Sequence, residues 1–162
     1  RIFFVEVMGR FSGYIAMMSG IAGGADHILT PEDTTHLDKL ITALQKSRDK
    51  GNFNQIVVVS EGDDAGSAYT IAKHVENNSD LKGIRVTVLG HVQRGGVPTA
   101  FDRILASRLG VHAVEALLEG KSNCMIGVKA DQIVTPPLSD TWDNPTTFDP
   151  SYFGIVEALR RE

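Results

Sequence analysis

The sequence predicts an α/β fold in which a mostly parallel β-sheet is sandwiched by helices, a Rossmann-like three-layer arrangement. Three observations carry this. Apolar strand-like runs alternate with helix-period segments along most of the chain, and that alternation is the signature of parallel strands joined by crossover helices. One run, Ile56-Val57-Val58-Val59, is an unbroken β-branched stretch of the kind found where a strand is covered on both faces. At 162 residues with 42% hydrophobic composition, the chain can bury a sizeable core.

Residues 2–7 read as the first strand. Residues 12–23 are rich in Gly, Ala, Ser and Met and read as a helix whose small residues permit close packing. Residues 27–30 form a short second strand. Leu37, Leu40, Ile41 and Leu44 fall at i, i+3, i+4 and i+7, an amphipathic helix with Thr34 or Thr35 to cap it and Gly51 at its end. Residues 55–60 are the third strand. Residues 66–78 are a helix with Ala68, Ile71, Ala72 and Val75 inward. Residues 84–89 are the fourth strand.

A glycine-flanked turn, Gly90-His91-Val92-Gln93-Arg94-Gly95-Gly96, then leads to the longest helix, residues 98–119. Phe101, Ile104, Leu105 and Leu109 share one face of that helix, and Gly120 follows its end. Residues 124–129 read as a fifth strand of the alternation. Residues 135–150 hold four prolines and little periodicity, so they read as an irregular excursion. Residues 152–161 are a terminal helix with Phe153, Val156 and Leu159 available for docking.

The net charge of −4 argues against a general nucleic-acid or membrane-surface binder. A single cysteine, Cys124, excludes an internal disulfide framework and fits a reducing, cytoplasmic setting. No apolar stretch approaches the roughly 18 residues of a membrane span. The chain opens with Arg1 directly on an apolar strand, which reads as a piece of a longer protein.

In open parallel sheets, ligands collect beyond the carboxyl ends of the strands. Three of these ends are polar here: Met8-Gly9-Arg10, Ser60-Glu61-Gly62-Asp63-Asp64, and Gly90-His91-Val92-Gln93-Arg94. Two arginines, a histidine and a carboxylate therefore head for one rim. Cations suit a phosphate and a carboxylate suits hydroxyls, the combination a phosphorylated polyol needs. Other motifs fail. Gly120-Lys121-Ser122 resembles the tail of a phosphate loop, but Glu115 stands where its first glycine is required. The five histidines show no zinc-type spacing with Cys124.

Three segments carry a family resemblance: Val5-Glu6-Val7-Met8-Gly9-Arg10, residues 20–24 with Pro31-Glu32, and the run from Gly90 through Gly95-Gly96-Val97-Pro98-Thr99-Ala100-Phe101-Asp102-Arg103. They closely resemble the 6-phosphofructokinases, and the chain looks like the C-terminal half of a bacterial-type, ATP-dependent enzyme. The resemblance implies transfer of a phosphoryl group from Mg2+-ATP to the 1-hydroxyl of fructose 6-phosphate. It implies that Met8, Gly9 and Arg10 hold the sugar, with Arg10 near the phosphoryl group in flight. Glu61 would bind sugar hydroxyls, Gln93 belongs to the same binding segment, and His91 and Arg94 would hold the 6-phosphate.

Arg1 and Arg85 match two further phosphate-binding arginines that in the family come from a neighbouring subunit of a homotetramer. Geometry agrees with that reading, because both begin strands whose far ends carry the sugar-binding residues, and six residues of strand span roughly 20 Å. An effector site for a nucleoside diphosphate matches at Gly24, Ala25, Asp26 and Lys50, with Asp26 a candidate magnesium ligand. Asn52 stands where a lysine is expected, which should weaken nucleotide binding.

The expected organisation is a sugar-phosphate domain over 1–90, a segment 91–134 that in the family packs back on a nucleotide-binding domain, and an irregular loop with a terminal helix over 135–162. Helix 98–119 should then need another surface for its apolar face, either the 1–90 sheet or another chain. The ATP site and the catalytic base lie outside these residues in the family, so the isolated chain should be inactive. Two other readings stay open: a pyrophosphate-dependent phosphofructokinase, and a non-catalytic sugar-phosphate-binding regulatory half.

Overall fold

The computed structural model describes residues 1–143 and 148–159. The first strand, β1 (Ile2–Val7), is followed by α1 (Tyr14–Ala22), β2 (His27–Leu29), α2 (Leu37–Asp49), β3 (Gln55–Ser60), α3 (Ala68–Asn77) and β4 (Ile84–Val88). The four strands form one sheet in the order β2-β3-β1-β4, and every pairing is parallel. A short 3-10 helix, Gly90–Arg94, leads out of β4. The chain divides into two compact units, Arg1–Arg94 with Thr147–Glu162, and Gly95–Thr146.

The first unit has the expected three layers. On one face, Phe4, Val57 and Val59 pack under Leu40, Ile41 and Leu44 of α2 and Ala68, Ile71, Ala72 and Val75 of α3. The four inward residues read from the sequence of α3 are all buried. On the other face, Val7, Ile28 and Val58 meet Ala16 and Met17 of α1, together with Phe148 and with Val156 of the C-terminal helix α6 (Ser151–Leu159). The small residues of α1 set its approach to the sheet: a Cβ on Gly20 would lie 2.5 Å from Cδ1 of Ile28. Within α6, Val156 is buried but Leu159 is 63% exposed, so Leu159 does not dock as expected. The part of the expected helix beyond residue 159 lies outside the described residues.

Capping departs from the sequence reading in an informative way. His36, not Thr34 or Thr35, stands at the N-cap of α2, and its side chain makes no capping bond. Thr35 is drawn off: its N–H donates to Asp64 Oδ1 at 2.9 Å and its hydroxyl to Asp63 Oδ2 at 2.8 Å. The start of α1 is served instead by Glu32, whose carboxylate accepts the N–H of Gly13 at 2.8 Å. A Cβ on Gly13 would sit 2.4 Å from Thr30 Cβ, so a side chain there would force this corner apart.

The second unit holds α4 (Ala100–Leu118), β5 (Gly127–Lys129), β6 (Gln132–Val134) and the single turn α5 (Asp140–Asp143). The helix starts two residues later than read, after a capping box in which Thr99 and Asp102 bond each other's backbone. The expected fifth strand is shorter and does not join the parallel sheet. β5 pairs antiparallel with β6, a strand the sequence reading missed, and Cys124 makes only an isolated bridge with Pro137. The reason is the turn between them. Ala130 and Asp131 both adopt positive φ, 49° and 61°, the backbone of a two-residue I′ hairpin, without the usual Asn-Gly or Asp-Gly signal. On α4, Phe101 is 72% and Ile104 61% exposed, and only Ala116 of that helix is buried.

Phe4 is wholly buried in β1, one of the two interior strands. Phe4→Ala should therefore cost about 3–5 kcal/mol of stability by denaturant titration. Tyr69→Ala, at a position 62% exposed, should cost well under half of that.

Candidate functional site

Parallel pairing brings all four carboxyl ends of the strands to one edge of the first unit. Since β1 lies between β3 and β4, the loop after β1 is flanked by the loops after those two strands. Each neighbouring pair of loops is stitched by a side chain on one and a backbone N–H on the other. Met8 donates to Gln93 Oε1 at 3.0 Å, linking the loops after β1 and β4. Gly9 and Arg10 both donate to Glu61 Oε1, at 3.1 and 2.8 Å, linking those after β1 and β3. The Thr35 bonds to Asp63 and Asp64 link those after β2 and β3, and Glu32 to Gly13 links those after β2 and β1.

A cleft of about 360 Å³ opens on this edge, lined by Met8, Gly9, Arg10, Ile15, Glu61, Gln93 and Arg94. Six of these were read from the sequence as binding residues. His91 shares the 3-10 helix with Gln93 and Arg94 but is exposed and is not among the residues lining the cleft. Arg1 and Arg85 sit at the opposite edge of the sheet, where Ile2 pairs with Ile84 and Phe3 with Arg85.

Electrostatically the cleft is cationic around one ionised carboxylate. Hydrogen bonds from the N–H groups of Arg10 and Gly9, then the nearby charges of Arg10 and Arg94, hold the Glu61 carboxyl below the usual glutamate range. Both bonds fall on Oε1, so neither uses Oε2. Two residues on, burial pushes the Asp63 carboxyl up, partly offset by bonds from Thr35 and Ala65. Arg10 itself has a φ of +50°, a left-handed conformation that costs a non-glycine residue roughly 1–2 kcal/mol and recurs at functional sites.

Sequence reasoning missed two residues of this edge. Ile15 lines the cleft from the first turn of α1, and nothing in its periodicity marks it. Gly62 lies under Arg10: a Cβ there would fall 1.7 Å from the Arg10 carbonyl oxygen. Two residues past the end of β3 it reads in the sequence as an ordinary loop glycine, and only the fold shows the backbone that approaches it.

The expected effector segment lies elsewhere. Gly24, Ala25 and Asp26 line a second cavity of about 360 Å³ with Ile21, Ile28, Val156 and Leu159. Asp26 accepts from Asn52 Nδ2 at 2.9 Å on one oxygen and from the Ile56 N–H at 2.8 Å on the other. Asn52 also donates to Ser47 Oγ at 3.2 Å, and Lys50 is exposed at the C-cap of α2. Among the described residues no group of three or more His, Cys, Asp or Glu side chains could hold a metal ion. Asp26, the expected magnesium ligand, thus has one hydrogen bond on each carboxylate oxygen. No described helix is long and apolar enough to cross a membrane.

The lowered pKa of Glu61 has a definite sign. A carboxylate with a depressed folded-state pKa contributes stability above its unfolded value and loses it as pH falls through the lowered one. The raised Asp63 acts oppositely, favouring the fold as pH drops. Glu61→Gln should therefore be less stable than the wild type at pH 7, and the gap in urea midpoint should close below about pH 4.3. A gap that widens in acid contradicts this assignment.

The phosphofructokinase family model matches residues 1–117. An ATP-dependent 6-phosphofructokinase of Thermotoga neapolitana is 45% identical over 98% of this chain and 49% of its own length. One from Bacillus pumilus is 43% identical over the same shares, so the chain spans about half the length of the curated relatives it matches. Among solved structures, Pichia pastoris phosphofructokinase in the T-state superposes with a TM-score of 0.77 at 36% identity, covering 99% of this chain and 19% of that one. A pyrophosphate-dependent phosphofructokinase from Marinobacter aquaeolei gives 0.72 at 27% identity, covering 100% and 48%. With Met8, Gly9, Arg10, Gln93 and Arg94 of the resembling segments in one cleft, and with the family model matched from β1 into α4, the chain belongs to the phosphofructokinase family.

Proposed function

We propose that this chain is the acceptor-binding part of an ATP-dependent 6-phosphofructokinase, and that the cleft beyond β1, β3 and β4 holds fructose 6-phosphate. The observation that carries this reading is the doubly bonded Glu61, set between Arg10 and Arg94 in one cleft. The Arg94 guanidinium supplies charge-assisted donors for the 6-phosphate, the kind of contact that fixes orientation as well as affinity. His91, exposed on the same short helix, is a second cation for that phosphate. Glu61 keeps Oε2 for the sugar hydroxyls, since its other oxygen is taken by the backbone. Arg10 stands where charge grows on the group in transfer.

Phosphoryl transfer needs its partners held in line and its charge stabilised more than it needs covalent help. Magnesium-bound ATP would supply the transferred group and neutralise part of its charge. No residue of this chain is assigned to the nucleotide or to that metal. The donor is read as ATP because the 45%-identical relative carries that name, whereas the pyrophosphate-dependent one matches at 27%. Arg1 and Arg85, a strand's length from the cleft, are assigned to the phosphate of a neighbouring subunit in a homo-oligomer, a tetramer by family resemblance. A nucleoside diphosphate effector is not part of this reading, given how Asp26 and Asn52 are bonded.

Isothermal titration tests the assignment. Fructose 6-phosphate should bind, and Arg94→Ala should weaken it at least about tenfold, the loss of one charge-assisted contact. Arg10→Gly should also lower affinity without lowering stability, because glycine relieves the left-handed backbone. No binding at millimolar sugar phosphate, or binding indifferent to both changes, overturns the proposal. Turnover by the 162-residue chain alone would instead refute the placement of the donor site outside it.

A further inference from the structure

The mutual seating of two loops, 8–12 and 60–63, has no explanation in side-chain packing alone. The Arg10 carbonyl oxygen lies 1.7 Å from where a Cβ on Gly62 would stand, and the carbonyl carbon lies 2.8 Å away. These are backbone atoms, so no side-chain rotation can relieve the overlap. The same Arg10 has a left-handed φ of +50°, and its N–H is held by Glu61, the residue before Gly62. On the other side, a Cβ on Gly9 would lie 2.3 Å from the Ser12 carbonyl oxygen. The loop after β1 is thus trapped between its own next turn and the bare backbone of Gly62. The far side of that backbone is fixed too: Asp63 is buried, accepting from Thr35 Oγ1 at 2.8 Å and the Ala65 N–H at 2.9 Å.

We infer that Gly62 is a positioning residue of the cleft: its missing side chain lets the Arg10 carbonyl seat against it, and that seat fixes both the backbone of Arg10 and the carboxylate of Glu61. Glu61 pulls the loop in through two hydrogen bonds, and Gly62 sets how far in it comes. Asp63 anchors the support from behind. Any side chain at 62 pushes the 9–10 backbone outward, lengthens the bonds to Glu61 Oε1 and turns Arg10 away from Arg94 across the cleft. The inference rests on the sugar-phosphate reading for its consequence, but its geometry does not.

The experiment therefore has two readouts on the whole chain carrying Gly62→Ala. The first is the carboxyl-carbon titration of Glu61 by NMR, which needs no ligand. Its midpoint should rise toward the ordinary glutamate range in the folded variant as the two N–H donors withdraw. An unchanged midpoint overturns the inference. A purely structural role would lower the thermal midpoint and leave this titration where it was.

The second readout is fructose 6-phosphate affinity, expected to fall at least about tenfold, since displacement of a binding group by about an ångström is costly. Unchanged affinity beside tight wild-type binding also overturns it. If the wild type binds no sugar phosphate, the functional reading fails and the Glu61 titration alone decides the inference. Should Gly62→Ala fail to fold, the wild type still answers. A nuclear Overhauser contact between the Gly62 α-protons and the Phe11 amide must be present, and its absence refutes the seat.

Discussion

The two hydrogen bonds that Glu61 Oε1 accepts from Gly9 and Arg10 are the constraint on which the rest of the cleft depends. Parallel strands of a twisted sheet bring their following loops to one edge, but they do not decide how those loops face each other. Backbone N–H groups at a strand's end have lost their ladder partners and must find others. Here a carboxylate on the next loop supplies the acceptor. The same solution recurs around the edge, with Gln93 for Met8, Glu32 for Gly13 and Asp64 for Thr35. The edge is a chain of loops, each held by its neighbour.

This stitching also sets the charge of the cleft. Glu61 is stabilised as an anion by donors that belong to the very segment it positions, so its ionisation and the shape of the 8–10 loop are one equilibrium. Asp63, two residues away and buried, is pushed the other way by desolvation. One exposed and donor-rich carboxylate and one buried and partly compensated carboxylate thus share a single loop. The first faces the cleft; the second braces it.

The segment around Asp26 shows a carboxylate engaged on both oxygens. An amide at position 52 donates a neutral hydrogen bond to Asp26 and a second to Ser47. The Ile56 N–H takes the other oxygen. The result is a brace between the start of β2, the end of α2 and the start of β3.

The alternation of apolar runs was enough to determined the three-layer fold of the first unit, because strand and helix periods are local properties of the chain. Ile2–Val7 and Gln55–Ser60 emerge with the bounds the pattern predicts, and the inward face of α3 is as read. Parallel topology then determined which loops share an edge, so Arg10, Glu61 and Arg94 were legible as neighbours. The β5–β6 hairpin was not, because its turn uses Ala130 as well as Asp131 at positive φ, and an alanine does not advertise that conformation. Nor was the loss of Thr35 as a helix cap, since Asp63 and Asp64 compete for it from 28 and 29 residues away. The role of Gly62 depended on tertiary structure for the same reason: a glycine's freedom is written in the sequence, but the backbone that comes to occupy it arrives from fifty residues upstream, about the separation that links Glu61 to Arg10. Only the folded sheet could bring the two together.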